Sequence, residues 1–182
     1  MTTPGTSSGT SIEALFGTRT MTIVPDVLAP AAAAQVRAAL APGFVRYDLL
    51  DRGSYEHQAP TLPPALATQL VELATGITGR TLAISCVRAL RLRAGDYLLA
   101  HHDRVYDDLP LELIVDASAA PVPGAEVHVR RRGQVFFRVP SAPGAVALVE
   151  RGPTVTTNHT YVSRRFADAE VVRLHVLLRG PA

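Results

Sequence analysis

Three residues of this 182-residue chain have the types and spacing of a mononuclear metal centre: His101, Asp103 and His159. A His-x-Asp at the end of a strand directs both side chains to one face, because residues i and i+2 share a side. His159 lies 56 positions beyond Asp103 (159 − 103), on the penultimate expected strand. A histidine from so distant a strand completes one face of an octahedron and leaves three positions open for a bidentate cosubstrate and dioxygen. Two imidazoles and a carboxylate held this way suit ferrous iron rather than a softer metal. His102 alternates to the opposite face of the strand, and its pairing with His159 is the alternative ligand set. The plain alternatives are a polar surface turn for His101 and Asp103, and an ordinary strand histidine for His159. Arg173 follows His159 by fourteen positions, early in the last expected strand, where a guanidinium can grip a carboxylate with two parallel hydrogen bonds. His175 shares its face and can assist. Arg164 and Arg165 are rival anchors, but they fall in the turn before that strand. His57 and His128 read as solvated or structural.

The elements that must position these groups are short strands. From Thr81 onward, apolar or alternating runs recur at 82–92, 96–101, 111–116, 125–130, 134–139, 145–150, 154–160 and 170–178, with Pro, Gly and Asp in the gaps. Eight strands at this spacing point to a sandwich or barrel rather than an alternating α/β fold. Before them, Thr20 to Val27 reads as a strand, Pro30 opens a helix through Leu40, and a second helix runs from about Pro64 to Ile77 and stops near Gly79. Helices followed by strands fit a mainly β fold with flanking helices, a double-stranded β-helix or cupin-like jelly roll. Residues 1–19, rich in Thr, Ser and Gly, read as a disordered leader, and 20–182 as one domain, with a helical lead-in over 20–80 and a jelly-roll core over 81–180. Residues 51–58 read as a polar loop able to cover a site. Arg130-Arg131-Arg132-Gly133 reads as a solvated hairpin turn.

Composition excludes several classes. With 47% hydrophobic and 19% charged residues the chain has an ordinary globular balance, and 182 residues suffice for one buried core. A net charge of +2 gives no footing for a nucleic-acid or membrane partner, and all 18 basic residues are Arg, a usage expected of a GC-rich coding sequence. Cys86 is the single cysteine, so an intrachain disulfide and a cysteine zinc site are excluded, and its apolar surroundings predict a buried, inert thiol. No apolar run approaches the about 18 residues of a membrane span, and no basic-then-apolar leader is visible, so a cytoplasmic protein is expected.

The stretch from about residue 88 to 179 resembles the iron(II)/2-oxoglutarate oxygenase superfamily, in the style of its prolyl-4-hydroxylase-like branch. The matching pieces are Gly95-Asp96-Tyr97-Leu98 leading into His101-His102-Asp103, Gly124-Ala125-Glu126-Val127, Gly144 before an apolar strand, Asn158-His159-Thr160-Tyr161-Val162, and Arg173. Ile23-Val24-Pro25-Asp26-Val27-Leu28 and the first helix look like that branch's lead-in. The chain departs from the pattern at Leu92, where relatives often carry Tyr, at His175, where they carry Ser or Thr, and at Pro123-Gly124, where they carry two glycines.

The resemblance implies Fe(II) bound by His101, Asp103 and His159, and 2-oxoglutarate held by Arg173 with His175 beside it, ascorbate being a candidate reductant. It implies a dioxygenase that oxidises, foremost by hydroxylation, a small molecule such as an amino acid or natural-product intermediate, releasing succinate and carbon dioxide. An aspartate at position 103 argues against halogenation, since related halogenases lack that carboxylate. Tyr55 and Tyr106 lie in segments that could border the substrate. The alternatives are a peptidyl or prolyl hydroxylase, and a cupin-like metal barrel without oxygenase activity.

Overall fold

The computed structural model describes residues 11–101, 110–152 and 154–180, with the backbone alone at His101. Among the described residues the chain runs through α1 (Ile12–Arg19), β1 (Met21–Val24), α2 (Pro30–Leu40), β2 (Val45–Leu49), β3 (Gly53–Gln58), α3 (Pro64–Thr78), β4 (Ala83–Arg93), β5 (Tyr97–His101), β6 (Leu111–Asp116), β7 (Val127–Arg131), β8 (Gln134–Val139), β9 (Val146–Glu150), β10 (Val155–His159) and β11 (Glu170–Arg179). The expected strands from residue 82 onward are all present, with ends shifted by one or two residues.

The helices form where apolar residues recur at helical spacing. In α2, Pro30 occupies the first turn, where its missing N–H costs nothing, and Ala33, Val36 and Leu40 are buried. In α3, Leu66, Leu70, Ala74 and Ile77 form the buried stripe, and Gly79 ends the helix at φ 66°. Each large aliphatic on that stripe stabilises the fold by about 2 kcal/mol. The segment expected as a disordered leader is helical over Ile12–Arg19. Ser11 caps the helix by accepting from the Ala14 amide, and Phe16 is buried against the main core. One buried aromatic and a cap outweigh a polar composition; residues 1–10 lie outside the described set.

All strand pairs are antiparallel, in the order β1-β9-β6-β11-β4-β3-β5-β10-β7-β8, with β2 paired to β3. The sheet curls into a nearly closed barrel, a double-stranded β-helix. One wall is β1-β9-β6-β11-β4 and the other β5-β10-β7-β8, and β3 joins them. Its residues Glu56 to Gln58 pair with β4, while Gly53 and Ser54 pair with β5. The helices cover the first wall. Strand β11 serves both sides of that wall because side chains alternate. Val172, Leu174, Val176 and Leu178 join the helical core, whereas Arg173, His175 and Leu177 belong to the opposite, interior face.

Two turn regions bear on the site. Residues 51–58, read from sequence as a covering loop, instead lead into and form β3, which pairs with β2 on one side and with β4 and β5 on the other; their polar character reflects partial burial at the cavity, not an absence of structure. Gly53 adopts φ 128°, and an added Cβ would stand 2.3 Å from the Tyr97 carbonyl oxygen, so only glycine allows this close approach to β5. Arg46 of β2 donates to both oxygens of Asp96 at 2.8 Å, tying the hairpin to the turn that precedes β5. The expected Arg130–Gly133 turn is found: Arg132 (φ 51°) and Gly133 (φ 81°) connect β7 to β8.

Candidate active site

A cavity of about 510 Å3 opens inside the barrel, within the size range of small-molecule sites. His159, from the end of β10, and His175, from the interior face of β11, stand in its wall, and both are buried. Their Nε2 atoms are 3.1 Å apart, and the rings meet edge to face. Behind them, His175 Nδ1 lies 2.7 Å from one Glu112 oxygen, and Arg151 donates to the other at 2.5 Å. An ionised carboxylate only accepts, so His175 Nδ1 is the donor to Glu112. The space between the two Nε2 atoms can then hold one proton only, shared between His159 and His175.

The chain Arg151–Glu112–His175–His159 is buried along its whole length, with Glu112 and the two histidines bordering the cavity. Burial alone would raise the Glu112 carboxyl, but the Arg151 charge, with the hydrogen bond and charge of His175, outweighs it and holds the group at about 2. Glu112 thus stays ionised at neutral pH and fixes the His175 ring, which in turn abuts His159.

Arg173 lies on the same face of β11 as His175, two residues back and so about 7 Å along the strand. It is fully buried, pairs across the ladder with Asp116, and donates from Nη2 to the Ala125 carbonyl oxygen at 2.8 Å. Its Nε has no hydrogen-bond partner among the described residues. Burial pushes its guanidinium pKa down, and the Asp116 and Glu126 charges pull the other way. A buried guanidinium with an unmet donor lacks one acceptor, a costly state that an anionic partner would relieve. It does not stand in the cavity wall, which takes its arginines, Arg88 and Arg52, from β4 and from the turn between β2 and β3.

The remaining sequence-derived assignments fall as follows. His101 closes β5, with its backbone opposite Thr157 of β10, two residues before His159. His102, Asp103 and Tyr106 lie outside the described residues, and among the described residues no three His, Cys, Asp or Glu side chains are grouped to hold a metal ion. Arg164 and Arg165 are exposed in the turn before β11. His128 bonds Glu126 at 2.7 Å, away from the cavity. His57 and Tyr55 line the cavity. Cys86, expected to be buried, is only partly so and lines the cavity as well, because its place on β4 faces the interior; burial still raises its thiol pKa.

Glu112 and Arg151 were not picked out from sequence. Glu112 had a visible signal, one charge within the apolar run Leu111-Glu112-Leu113-Ile114. Arg151 had none, since it follows Glu150 at the end of β9 and becomes buried only through the fold.

No family model matches the sequence, and no curated protein does. Solved structures match over nearly the whole chain. A 2OG-Fe(II) oxygenase family oxidoreductase from Burkholderia pseudomallei superposes with TM-score 0.71 at 14% identity, over 97% of this chain and 94% of that one. The fold is that of the 2-oxoglutarate/Fe(II) oxygenases. A Pseudomonas putida prolyl-4-hydroxylase shares this oxygenase fold with TM-score 0.66 and 13% identity, covering 94% of this chain and 98% of its own. The alpha-ketoglutarate-dependent epimerase SnoN of nogalamycin biosynthesis gives TM-score 0.70 at 16% identity, over 93% and 79%. At such identities the match describes the oxygenase fold. No helix among the described residues is long and apolar enough to cross a membrane.

Proposed function

We propose that this protein is an Fe(II)/2-oxoglutarate-dependent oxygenase that oxidises, foremost by hydroxylation, a small molecule such as an amino acid or natural-product intermediate. The observation that carries the reading is the buried His159, braced by His175 and Glu112, in the wall of a cavity inside an oxygenase-type barrel.

The residues fit the metal and the cosubstrate. His159 brings a buried imidazole whose neighbour His175 is held by the Glu112 carboxylate, and Arg173 brings a buried guanidinium with an unmet Nε donor. In this proposal His159, His101 and Asp103 hold the iron, and Arg173, with His175 nearby, holds the distal carboxylate of 2-oxoglutarate. When bound, iron and 2-oxoglutarate together supply oxidation of an unactivated C–H bond, with succinate and carbon dioxide as co-products.

The chain's own contribution is placement. Glu112 keeps its charge and fixes the His175 ring, and His175 in turn limits the rotation of His159. Ala59, Val87, Leu90 and Leu98 are among the apolar lining residues and would keep water from the reacting face. A small-molecule substrate is favoured by the cavity, which is enclosed by the barrel and of small-molecule size, and SnoN is itself named for a natural-product pathway. A cytoplasmic location belongs to the same proposal.

The test is spectroscopic. Apo-protein given Fe(II) and 2-oxoglutarate without oxygen should develop the weak visible charge-transfer band of the chelate. Failure to form it while circular dichroism reports an intact fold would overturn the reading. Oxygen-dependent succinate release would then rank candidate substrates.

A further inference from the structure

Aromatic residues are scarce in this chain, at 5% with five Tyr and no Trp, yet two of the five tyrosines and a histidine meet at the mouth of the cavity. Tyr47 of β2 and Tyr55 of β3 are direct cross-strand partners. Their rings stack with centroids 5.7 Å apart and planes 16° apart, and His57 meets Tyr47 edge-on at 6.2 Å. A cross-strand aromatic pair steadies a hairpin. That role alone does not account for where these rings lie: both line the cavity, and Tyr47 remains 39% exposed on a strand none of whose residues is buried.

Cationic groups border the same space. Arg52 lines the cavity from the tip of the hairpin. Its backbone is pinned, since its carbonyl accepts from the Leu99 amide at 2.7 Å and the neighbouring Gly53 packs directly on the Tyr97 carbonyl. Arg88 lines the opposite side from β4, where it is the ladder partner of His175. A wall of flat rings beside guanidinium groups matches one ligand chemistry: a planar ring for the tyrosine face and an anionic group for the arginine.

We propose that the β2–β3 hairpin is a substrate-recognition site for a planar aromatic acid, with Tyr47 as the stacking surface and Arg52 as the carboxylate partner. This rests on the reading of the cavity as the oxygenase's substrate site, and it names the class of that substrate. A ring on the tyrosine face is worth about a three- to tenfold gain in affinity over a saturated ring of the same size.

Binding to the intact protein, without iron or oxygen, tests it through three probes: 2-naphthoate, its saturated analogue decahydro-2-naphthoate, and the neutral 2-naphthalenemethanol. Naphthoate is expected to bind several-fold tighter than either. Tyr47→Ala should remove the advantage over the saturated acid, and Tyr47→Phe should keep it. Arg52→Gln should remove the advantage over the alcohol. Both positions are exposed, so the fold is expected to survive, which circular dichroism checks. Equal affinity for naphthoate and its saturated analogue, an unchanged affinity in Tyr47→Ala, or no binding at millimolar concentration would each overturn the proposal. If naphthoate binds as expected but the anaerobic iron band never forms, the recognition site stands and the oxygenase reading falls; the reverse result removes the recognition site alone.

Discussion

Substituting Glu112 by Gln keeps the shape of the side chain and removes its charge from a place where water cannot compensate. The Glu112 and Arg151 side chains are 2% and 1% exposed, and 2.5 Å separates them. Two routes give the magnitude. A carboxyl held at about 2 when folded, against an ordinary 4.5, contributes about 3 kcal/mol at neutral pH. Removing one partner of a buried ion pair costs about 3–5 kcal/mol, because the other charge is left uncompensated. The expectation is therefore a loss of about 3 kcal/mol at pH 7, which for a domain of this size lowers Tm by about 6–12 °C. The sign with pH follows from a depressed folded pKa. The stabilisation is complete above about 4.5 and is lost as pH falls through the folded value near 2. Urea unfolding should therefore show a gap between wild type and Glu112→Gln of about 3 kcal/mol at pH 7, shrinking to about 1 kcal/mol at pH 3. Adding Arg151→Met to Glu112→Gln should recover much of the loss, since an apolar pair avoids the buried charge. A gap below 1 kcal/mol at pH 7, or one that does not change between pH 7 and pH 3, would refute the argument.

Three further outcomes follow from the same structure. His159→Ala should weaken Fe(II) binding in anaerobic titration by more than the about 10- to 100-fold that loss of an outer partner costs; an unchanged affinity would remove His159 from the ligand set. Arg173→Met, which leaves the cavity wall untouched, should raise the Kd for 2-oxoglutarate at least about tenfold with little change in iron affinity, in line with loss of a charged hydrogen bond. An unaltered Kd would move the anchor to another residue, Arg88 first. Gly144→Ala should destabilise the fold by about 2 kcal/mol or more, because φ is 83° and the new Cβ would stand 2.5 Å from the Leu28 carbonyl oxygen. A thermal midpoint within 1 °C of wild type would contradict that geometry.

The strands were legible in the sequence because each is a short run with period-two or continuous apolar character, broken by Pro, Gly or Asp. The buried stripes of α2 and α3 were equally plain, with a proline at each start. The helix Ile12–Arg19 was not, since its amphipathic signal is slight and its docking depends on Phe16. For the site, His159 and His175 could be placed on their strands by counting, and alternation put His175 beside Arg173. The contact between His159 and His175 could not be foreseen, because it depends on how β10 and β11, in opposite walls, face each other across the barrel. The hairpin over 45–58 was hidden for a different reason. Its outer strand, β2, lies at an edge and is exposed along its whole length, and β3 is fully buried only at Gly53, so neither carries the apolar alternation that marks buried strands.

The hairpin that joins the two walls also divides the molecule in another sense. Residues 45–58 form one uninterrupted stretch whose backbone is held by ladder bonds to β4 and β5 and whose side chains supply much of the cavity's rim. His159, His175 and the helical core come from other parts of the chain. A lineage could therefore exchange this single stretch, as one cassette that keeps the ladder bonds joining the two walls, and change which guest is admitted while His159, His175 and the helical core are inherited unaltered.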